Sequence, residues 1–288
     1  MSIKLGNTAI NKVYLGGLEA NKLYLGSTLV YDNAGAGGDA DANAFIAAAG
    51  IVDGTQQAAI QTLVLSLKED GIWVKMNAIY PMVGGTATSH KWNLKDPRDL
   101  DAAYRLVFNG GWTHSTTGAK PDGSTAYANT FLTPNTILNL NSTHISYYSK
   151  TDLNALQIEI GTQDSAAARN NLFLEIRTST ATYGAVNLSA SDGFIDENSL
   201  GYYIASRTAS NETVIYKNGV VKKTSSKLST GLSTYPLFIG ALNSEGVDKF
   251  YSGKENLFSS IGEGLTNTES LNLYNSVQAF QTSLGRQV

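Results

Sequence analysis

Thr213-Val214-Ile215-Tyr216-Lys217 is followed by Asn218-Gly219 and then by Val220-Val221-Lys222-Lys223. Two alternating, β-branched runs joined by Asn-Gly specify a hairpin, because a two-residue turn of this kind needs positive φ at both central positions. The same grammar recurs from residue 82 to 264. Leu156-Gln157-Ile158-Glu159-Ile160 and Leu172-Phe173-Leu174-Glu175-Ile176 alternate strictly, and Gly201-Tyr202-Tyr203-Ile204-Ala205-Ser206 and Leu237-Phe238-Ile239-Gly240 read as further strands. Many short strands with polar turns, spread over roughly 180 residues, predict a mainly β chain built as an antiparallel two-sheet sandwich.

Helices flank this body. Ala42 to Ala49 is Ala-rich, Gly50-Ile51-Val52-Asp53-Gly54 interrupts it, and Ile60, Leu63, Val64 and Leu67 then fall on one helical face of a segment from Thr55 to Lys68. Ile72 to Tyr80 has strand character and ends at Pro81. Near the C-terminus Thr266-Asn267-Thr268-Glu269 fits a capping box. Leu273, Val277, Phe280 and Leu284 follow as one apolar stripe, and Gly285 stands where a C-terminal cap belongs.

The N-terminus repeats itself. Leu5-Gly6 to Val13-Tyr14, Leu15-Gly16 to Leu23-Tyr24, and a shortened copy from Leu25-Gly26 to Tyr31-Asp32 keep Leu-Gly and Tyr in phase, with a period of ten in the first two copies. Ten residues suit one short strand and one tight turn. Such strands bury little apolar surface alone, so they either pack on their own chain as a small meander or dock onto another protein. For docking, the candidates are Leu5, Gly6, Tyr14, Leu15, Gly16, Tyr24, Leu25, Gly26 and Tyr31. Asn33 to Ala42 holds only small, polar and acidic residues and reads as a flexible linker. The expected organisation is a β-repeat over 1–32, a linker over 33–42, a helical hairpin over 43–70, and a sandwich with a C-terminal helix over 71–288.

Composition removes several classes. There is no cysteine, which excludes disulfides, thiolate metal sites and a Cys nucleophile. Charged residues are 16 % and the net charge is −3, so no electrostatic footprint for nucleic acid or an anionic membrane is expected. No run approaches the roughly 18 apolar residues of a membrane span, and Met1-Ser2-Ile3-Lys4-Leu5-Gly6 lacks the apolar core of a signal peptide. What is left is a chain rich in Gly (28), Asn (24) and Tyr (15).

Tyr202 to Arg207, Val214-Ile215-Tyr216-Lys217-Asn218-Gly219-Val220 and Leu237 to Ala241 resemble the laminin-G-like, concanavalin A-like lectin/glucanase sandwich, a jelly-roll, and Phe258 to Thr266 resembles its closing strand and terminal helix. Gly71 to Met76, Ala78 to Pro81, Trp92 to Pro97 and Gly110 to His114 are similar to tailed-bacteriophage structural proteins carrying such a domain, as are the Leu-Gly…Tyr decamers. The resemblance implies a virion protein, a head fibre, capsid decoration or tail component, made in the host cytoplasm and displayed on the particle. It further implies other virion proteins as partners and a homo-oligomer, commonly a trimer.

For chemistry, the glucanase members of that sandwich carry acidic residues in alternation on one strand, and retaining cleavage needs two carboxyls about 5–5.5 Å apart. Glu159 and Glu175 each lack an acidic neighbour two residues away, so no catalytic residues are assigned. His90, His114 and His144 form no H-x-x-H pair. Asp192, Asp196 and Asn198 are spaced for a weak calcium site, or else for a solvated loop held by local hydrogen bonds. Trp112, His114 and Tyr127 offer the composition of a glycan platform, or else Trp112 packs in the core. No cofactor is expected. The expected function is a structural virion protein that docks through its repeat and displays a lectin-like domain. The alternatives are a carbohydrate-binding adhesin for host surface glycans and, third, a glycan depolymerase.

Overall fold

The computed structural model describes residues 38–164 and 169–288, together with the backbone of six short strands between Lys4 and Asp32. The body is an antiparallel two-sheet sandwich with helices against one sheet, as the strand pattern predicts. In the helix-backed sheet the order is Val220–Ser225, Glu212–Lys217, Gly201–Ala209, Thr143–Ser149, Asn256–Gly262, Gly118–Pro121 and Trp112–Ser115, with Met76–Tyr80 also paired to Asn256–Gly262. In the second sheet it is Asp192–Ile195, Ala181–Leu188, Asn171–Thr178, Ile160–Gln163, Phe238–Ile239, Tyr127–Asn129 and Val107–Asn109. Leu242–Ser244 runs parallel beside Ile160–Gln163 and pairs with Val247–Lys249.

Between the sheets lies a core that includes Tyr80, Ile145, Tyr147, Ile160, Leu174, Val186, Tyr203, Ile239 and Ile261. A second core lies on the other face of the helix-backed sheet. There Tyr148, Tyr202, Ile204, Tyr216 and Phe258 meet α1 (Ala40–Ala49), α2 (Gly54–Glu69) and α3 (Asn267–Ser283). The helical pair expected over 43–70 therefore shares one continuous core with the sandwich. Strands with two apolar faces follow from this. Thr143–Ser149 is buried at every position because one face looks into the sandwich and the other at helices.

Local signals explain the element ends. Asn218 (φ +51°) and Gly219 (φ +73°) make the turn that the Asn-Gly pair predicts. Thr266 and Glu269 form the expected capping box. Gly285 has φ +64°, and the Gly285 N–H to Thr282 O and Arg286 N–H to Gln281 O bonds complete a Schellman cap. That cap delivers Arg286 into a seam. Its guanidinium, 3 % exposed as a residue, donates to the carbonyls of Met82 (2.7 Å) and Pro81 (3.2 Å), and its Nε donates to Gln281 Oε1 (2.9 Å).

Several expectations are corrected. The linker read over 33–42 stops short: α1 begins at Ala40, with the Asp39 carboxylate accepting from Asp41 N–H and Ala42 N–H and pairing with Lys68 at 2.6 Å. Small acidic residues look linker-like in sequence, but here one of them caps a helix. Residues 33–37 lie outside the described residues. Ile72 to Tyr80 opens with a 3-10 turn at Trp73–Lys75, and the strand proper is Met76–Tyr80. Leu156 to Glu159 precedes its strand, which is Ile160–Gln163.

Each decamer holds two strands, not one. Leu5 pairs with Thr8, Leu15 with Leu18 and Leu25 with Thr28, giving three antiparallel pairs: Lys4–Leu5 with Thr8–Ala9, Val13–Leu15 with Leu18–Ala20, and Lys22–Leu25 with Thr28–Asp32. Strands of two to five residues fit two to a repeat when only two residues separate the paired ends. The docking candidates Leu5, Tyr14, Leu15, Tyr24, Leu25 and Tyr31 lie on these strands, but their side chains lie outside the described residues, as do Gly6, Gly16 and Gly26 entirely.

Candidate functional site

The two long edges of the sandwich are closed differently. At one edge, Trp112–Ser115 of the helix-backed sheet faces Val107–Asn109 of the second sheet. Phe108 meets Trp112 edge-on (centroids 5.2 Å) and His114 edge-on (4.6 Å), while Trp112 and His114 stack at 6.1 Å. The indole N–H of Trp112 donates to Asn109 O (3.0 Å) and Tyr127 O (3.3 Å). The Tyr127 ring stacks instead on Phe238 at 4.5 Å. The residues singled out as a glycan platform are thus neighbours, but the Trp112 N–H and His114 Nδ1 are bonded within the protein, and Trp112 acts as a half-buried edge plug on the inter-sheet core.

His114 is committed as well. Gly85 N–H donates to His90 Nε2 (3.2 Å), so the proton of neutral His90 sits on Nδ1, which donates to His114 Nδ1 at 2.9 Å. Burial, then the neighbouring His114 and Arg286, lower the His90 pKa to about 3. His144 lies apart, wholly buried. It is bonded to Glu263 O (2.6 Å) and Ser260 Oγ (3.0 Å), and burial lowers its pKa to about 4.

At the opposite edge, Asp192–Ile195 and Val220–Ser225 are the terminal strands of their sheets and lie against one another. The residues read as calcium candidates converge here on a different cation. Lys217 Nζ donates to Asp196 Oδ1 (2.5 Å), Asn198 O (2.7 Å) and Asn198 Oδ1 (3.2 Å), while Asp192 pairs with Lys227 at 3.1 Å. Asp196 Oδ2 also accepts from Thr182 Oγ1 (2.7 Å) and Tyr203 Oη (2.8 Å). A lysine ammonium thus sits where the spacing suggested a metal, and the ion pair ties the two sheets together.

Above this tie is an open groove of about 380 Å³ lined by Phe194, Ile195, Asp196, Glu197, Asn198, Lys217, Asn218, Val220 and Lys222. Phe194 packs on the inter-sheet core and gives the groove an apolar wall. Asn198, Asn218, Glu197 and Lys222 supply hydrogen-bonding groups, and Asp196 and Lys217 hold the floor rigid. Sequence reasoning found two of these positions, Asp196 and Asn198, through their oxygen atoms. It could not see that a strand 20 residues on would supply the cation. A second concavity of about 470 Å³ lies between α2 and α3, lined mainly by Ala, Ser and Thr over Leu63 and Phe280, with no charged side chain in its lining.

The two strand carboxylates do not form a catalytic pair on the surface. Glu159 is fully buried. Its Oε1 accepts from Lys254 Nζ (3.0 Å) and Ser252 Oγ (3.1 Å), and its Oε2 accepts from Ile176 N–H (2.5 Å). Burial raises its carboxyl pKa against the opposing pull of Lys254. Glu175 lies half-buried, in register opposite Tyr183. Among the described residues, no group of three or more His, Asp or Glu is arranged to hold a metal, and no helix is long and apolar enough to cross a membrane.

No family model matches the chain, and no curated protein matches it significantly. Solved structures similar to it include the CBM40 of the Ruminococcus gnavus IT-sialidase bound to α2,3-sialyllactose, at 13% identity and TM-score 0.35, covering 45% of this chain and 80% of that one. The receptor-binding domain of botulinum neurotoxin C/D mosaic serotype is 12% identical with TM-score 0.47, over 71% of this chain and 52% of that one. The NanB sialidase from Streptococcus pneumoniae is 15% identical with TM-score 0.38, over 49% of this chain and 25% of that one.

Proposed function

We propose that the protein is a non-catalytic, lectin-like display protein whose sandwich binds a glycan at the Asp196–Lys217 edge. One observation carries this: the groove there sets an aromatic wall, Phe194, beside Asn198, Asn218, Glu197 and Lys222 on a floor fixed by a buried ion pair. Sugars are recognised by an apolar surface against their C–H faces and by fixed polar groups for their hydroxyls. Preorganised partners lose less entropy on binding. Binding without turnover is favoured over hydrolysis because both oxygens of Glu159 are already taken up inside the protein. A glycan array with the full chain tests the reading. At least one glycan binds, and Lys222→Ala and Glu197→Ala, both at exposed positions, weaken it about tenfold or more, the scale of a hydrogen bond to a charged group. Trp112→Ala leaves the specificity unchanged. Binding untouched by the groove variants but lost with Trp112→Ala overturns the reading.

A second reading concerns attachment. Three consecutive hairpins with matching registers, Leu5↔Thr8, Leu15↔Leu18 and Leu25↔Thr28, favour a repeated docking module, since isolated two-stranded hairpins are marginal in water. Together with the resemblance to tailed-phage structural proteins, this supports reading the protein as an oligomeric particle component, a trimer on that resemblance, that the repeat anchors to capsid or tail. Deleting residues 1–32 then abolishes incorporation into particles and spares glycan binding. Undiminished incorporation refutes it.

A further inference from the structure

Lys254 and Glu159 are both fully buried and form an ion pair at 3.0 Å in the inter-sheet region. An ammonium and a carboxylate removed from water together lose hydration that their attraction repays only in part. A third group completes the cluster as the second acceptor of the buried ammonium. Gln157 lies two residues before Glu159, and its Oε1 takes a hydrogen bond from Lys254 Nζ (3.4 Å) and another from Gly253 N–H (3.1 Å). The carboxamide carbonyl is thus polarised by a fixed backbone donor, with an amine on one side and a carboxyl group beside that amine. Tyr147 Oη donates to Lys254 O (2.7 Å) and fixes the lysine backbone.

We infer that Lys254 and Gln157 form an intramolecular isopeptide cross-link, with Glu159 as the proton-transfer group. The chemistry balances without any outside reagent. Glu159 takes a proton from the Lys254 ammonium, freeing the nitrogen lone pair. The Nζ–Cδ bond forms at Gln157 while the carbonyl oxygen is held by Gly253 N–H. The Cδ–Nε2 bond then breaks, protons pass from Nζ to the departing nitrogen through Glu159, and one ammonia leaves. The direction of the Glu159 perturbation, upward through burial, suits a carboxyl that carries a proton part of the time. The electrophile is Gln157 and not Glu159, because an ionised carboxylate is a poor acyl acceptor whereas a neutral carboxamide with a donor on its oxygen is polarised for attack. The product is an amide joining Gln157 to Lys254, 97 positions apart in the chain.

The test is the mass of the purified full chain. The expected result is a mass lower than the sequence mass by one ammonia, a tryptic peptide joining the Gln157 and Lys254 segments, and no cleavage after Lys254. Because an Asn218-Gly219 succinimide loses ammonia too, the peptide map decides the location. Gln157→Ala and Glu159→Gln restore the full mass, the first without removing the buried pair, so it keeps the test valid if Glu159→Gln fails to fold. An unmodified mass, loss of water instead of ammonia, or ammonia loss located at Asn218-Gly219 with normal cleavage after Lys254 overturns the inference.

Discussion

Acidification from pH 8 to pH 5 strips the protein of a defined share of its stability. His90 and His144 are held neutral in the fold, with pKa values lowered from 6.5 to about 3 and about 4, in both cases first by burial. In the unfolded chain each titrates near 6.5. A base with a depressed folded pKa binds fewer protons when folded, so stability is complete above the unfolded value and falls as pH drops through 6.5 toward the folded value. At pH 5 the unfolded state gains about 1.5 units of protonation free energy per histidine at about 1.36 kcal/mol per unit, or about 2 kcal/mol each and about 4 kcal/mol together. The structural cause can be followed bond by bond. Tyr202 Oη donates to Ser146 Oγ, Ser146 Oγ is 2.6 Å from Ser260 Oγ, and Ser260 Oγ is 3.0 Å from His144 Nε2, so a proton on Nε2 costs the Ser260 hydroxyl its acceptor and turns its proton away inside the core. Glu159, raised by burial, works in the opposite sense, and the lowered carboxylates lose their stabilisation only below their usual range. Urea unfolding at pH 8, 7, 6 and 5 measures the effect. His144→Gln, even if less stable at pH 8, removes about half of the pH dependence. A stability that is flat from pH 8 to 5, or an undiminished slope in both His90→Gln and His144→Gln, refutes the reasoning.

Three further outcomes are expected. Lys217→Met leaves the Asp196 carboxylate buried without its cation and costs about 3–5 kcal/mol by thermal or chemical unfolding, and adding Asp196→Leu recovers most of the loss. Thr266→Ala removes the capping box of α3 and costs about 1 kcal/mol. Gly219→Ala is strained by its positive φ, and its Cβ would lie 2.7 Å from Tyr274 Cδ1, so the hairpin turn loses about 1 kcal/mol or more, seen as earlier amide exchange in Glu212–Lys217 and Val220–Ser225.

What the sequence disclosed was local. Alternation located the strands around Leu172, Tyr202 and Val214. Asn218-Gly219 set a turn through its φ requirement, and Thr266 with Glu269 announced α3. Each of these signals is written in residues within about four positions of one another. What stayed hidden depends on partners far along the chain. Glu159 looked like a lone strand carboxylate, yet it meets Lys254. His90 and His114 showed no metal spacing, yet their rings touch. Asp196 and Asn198 carried oxygens suited to a cation, and the fold supplied that cation from Lys217. The aromatic run around Trp112 had the composition of a binding platform, but composition does not say whether an indole N–H faces solvent or Asn109 O.

The seam that receives Arg286 has a bearing on how the chain comes off the ribosome. The core behind the helix-backed sheet needs Leu273, Val277 and Phe280 of α3, and its rim needs the Arg286 guanidinium on Pro81 and Met82. Every other buried residue of that core, from Ala42 to Leu265, is synthesised earlier. During translation the nascent sandwich can pair its strands and pack them on α1 and α2, but Tyr148 and Phe258, which meet Gln278 and Phe280, lack their α3 partners until residues 267–286 emerge, on the general ground that domains close as units. The late arrival of one helix and one arginine thus sets the interval over which a nascent chain of this protein is exposed to aggregation.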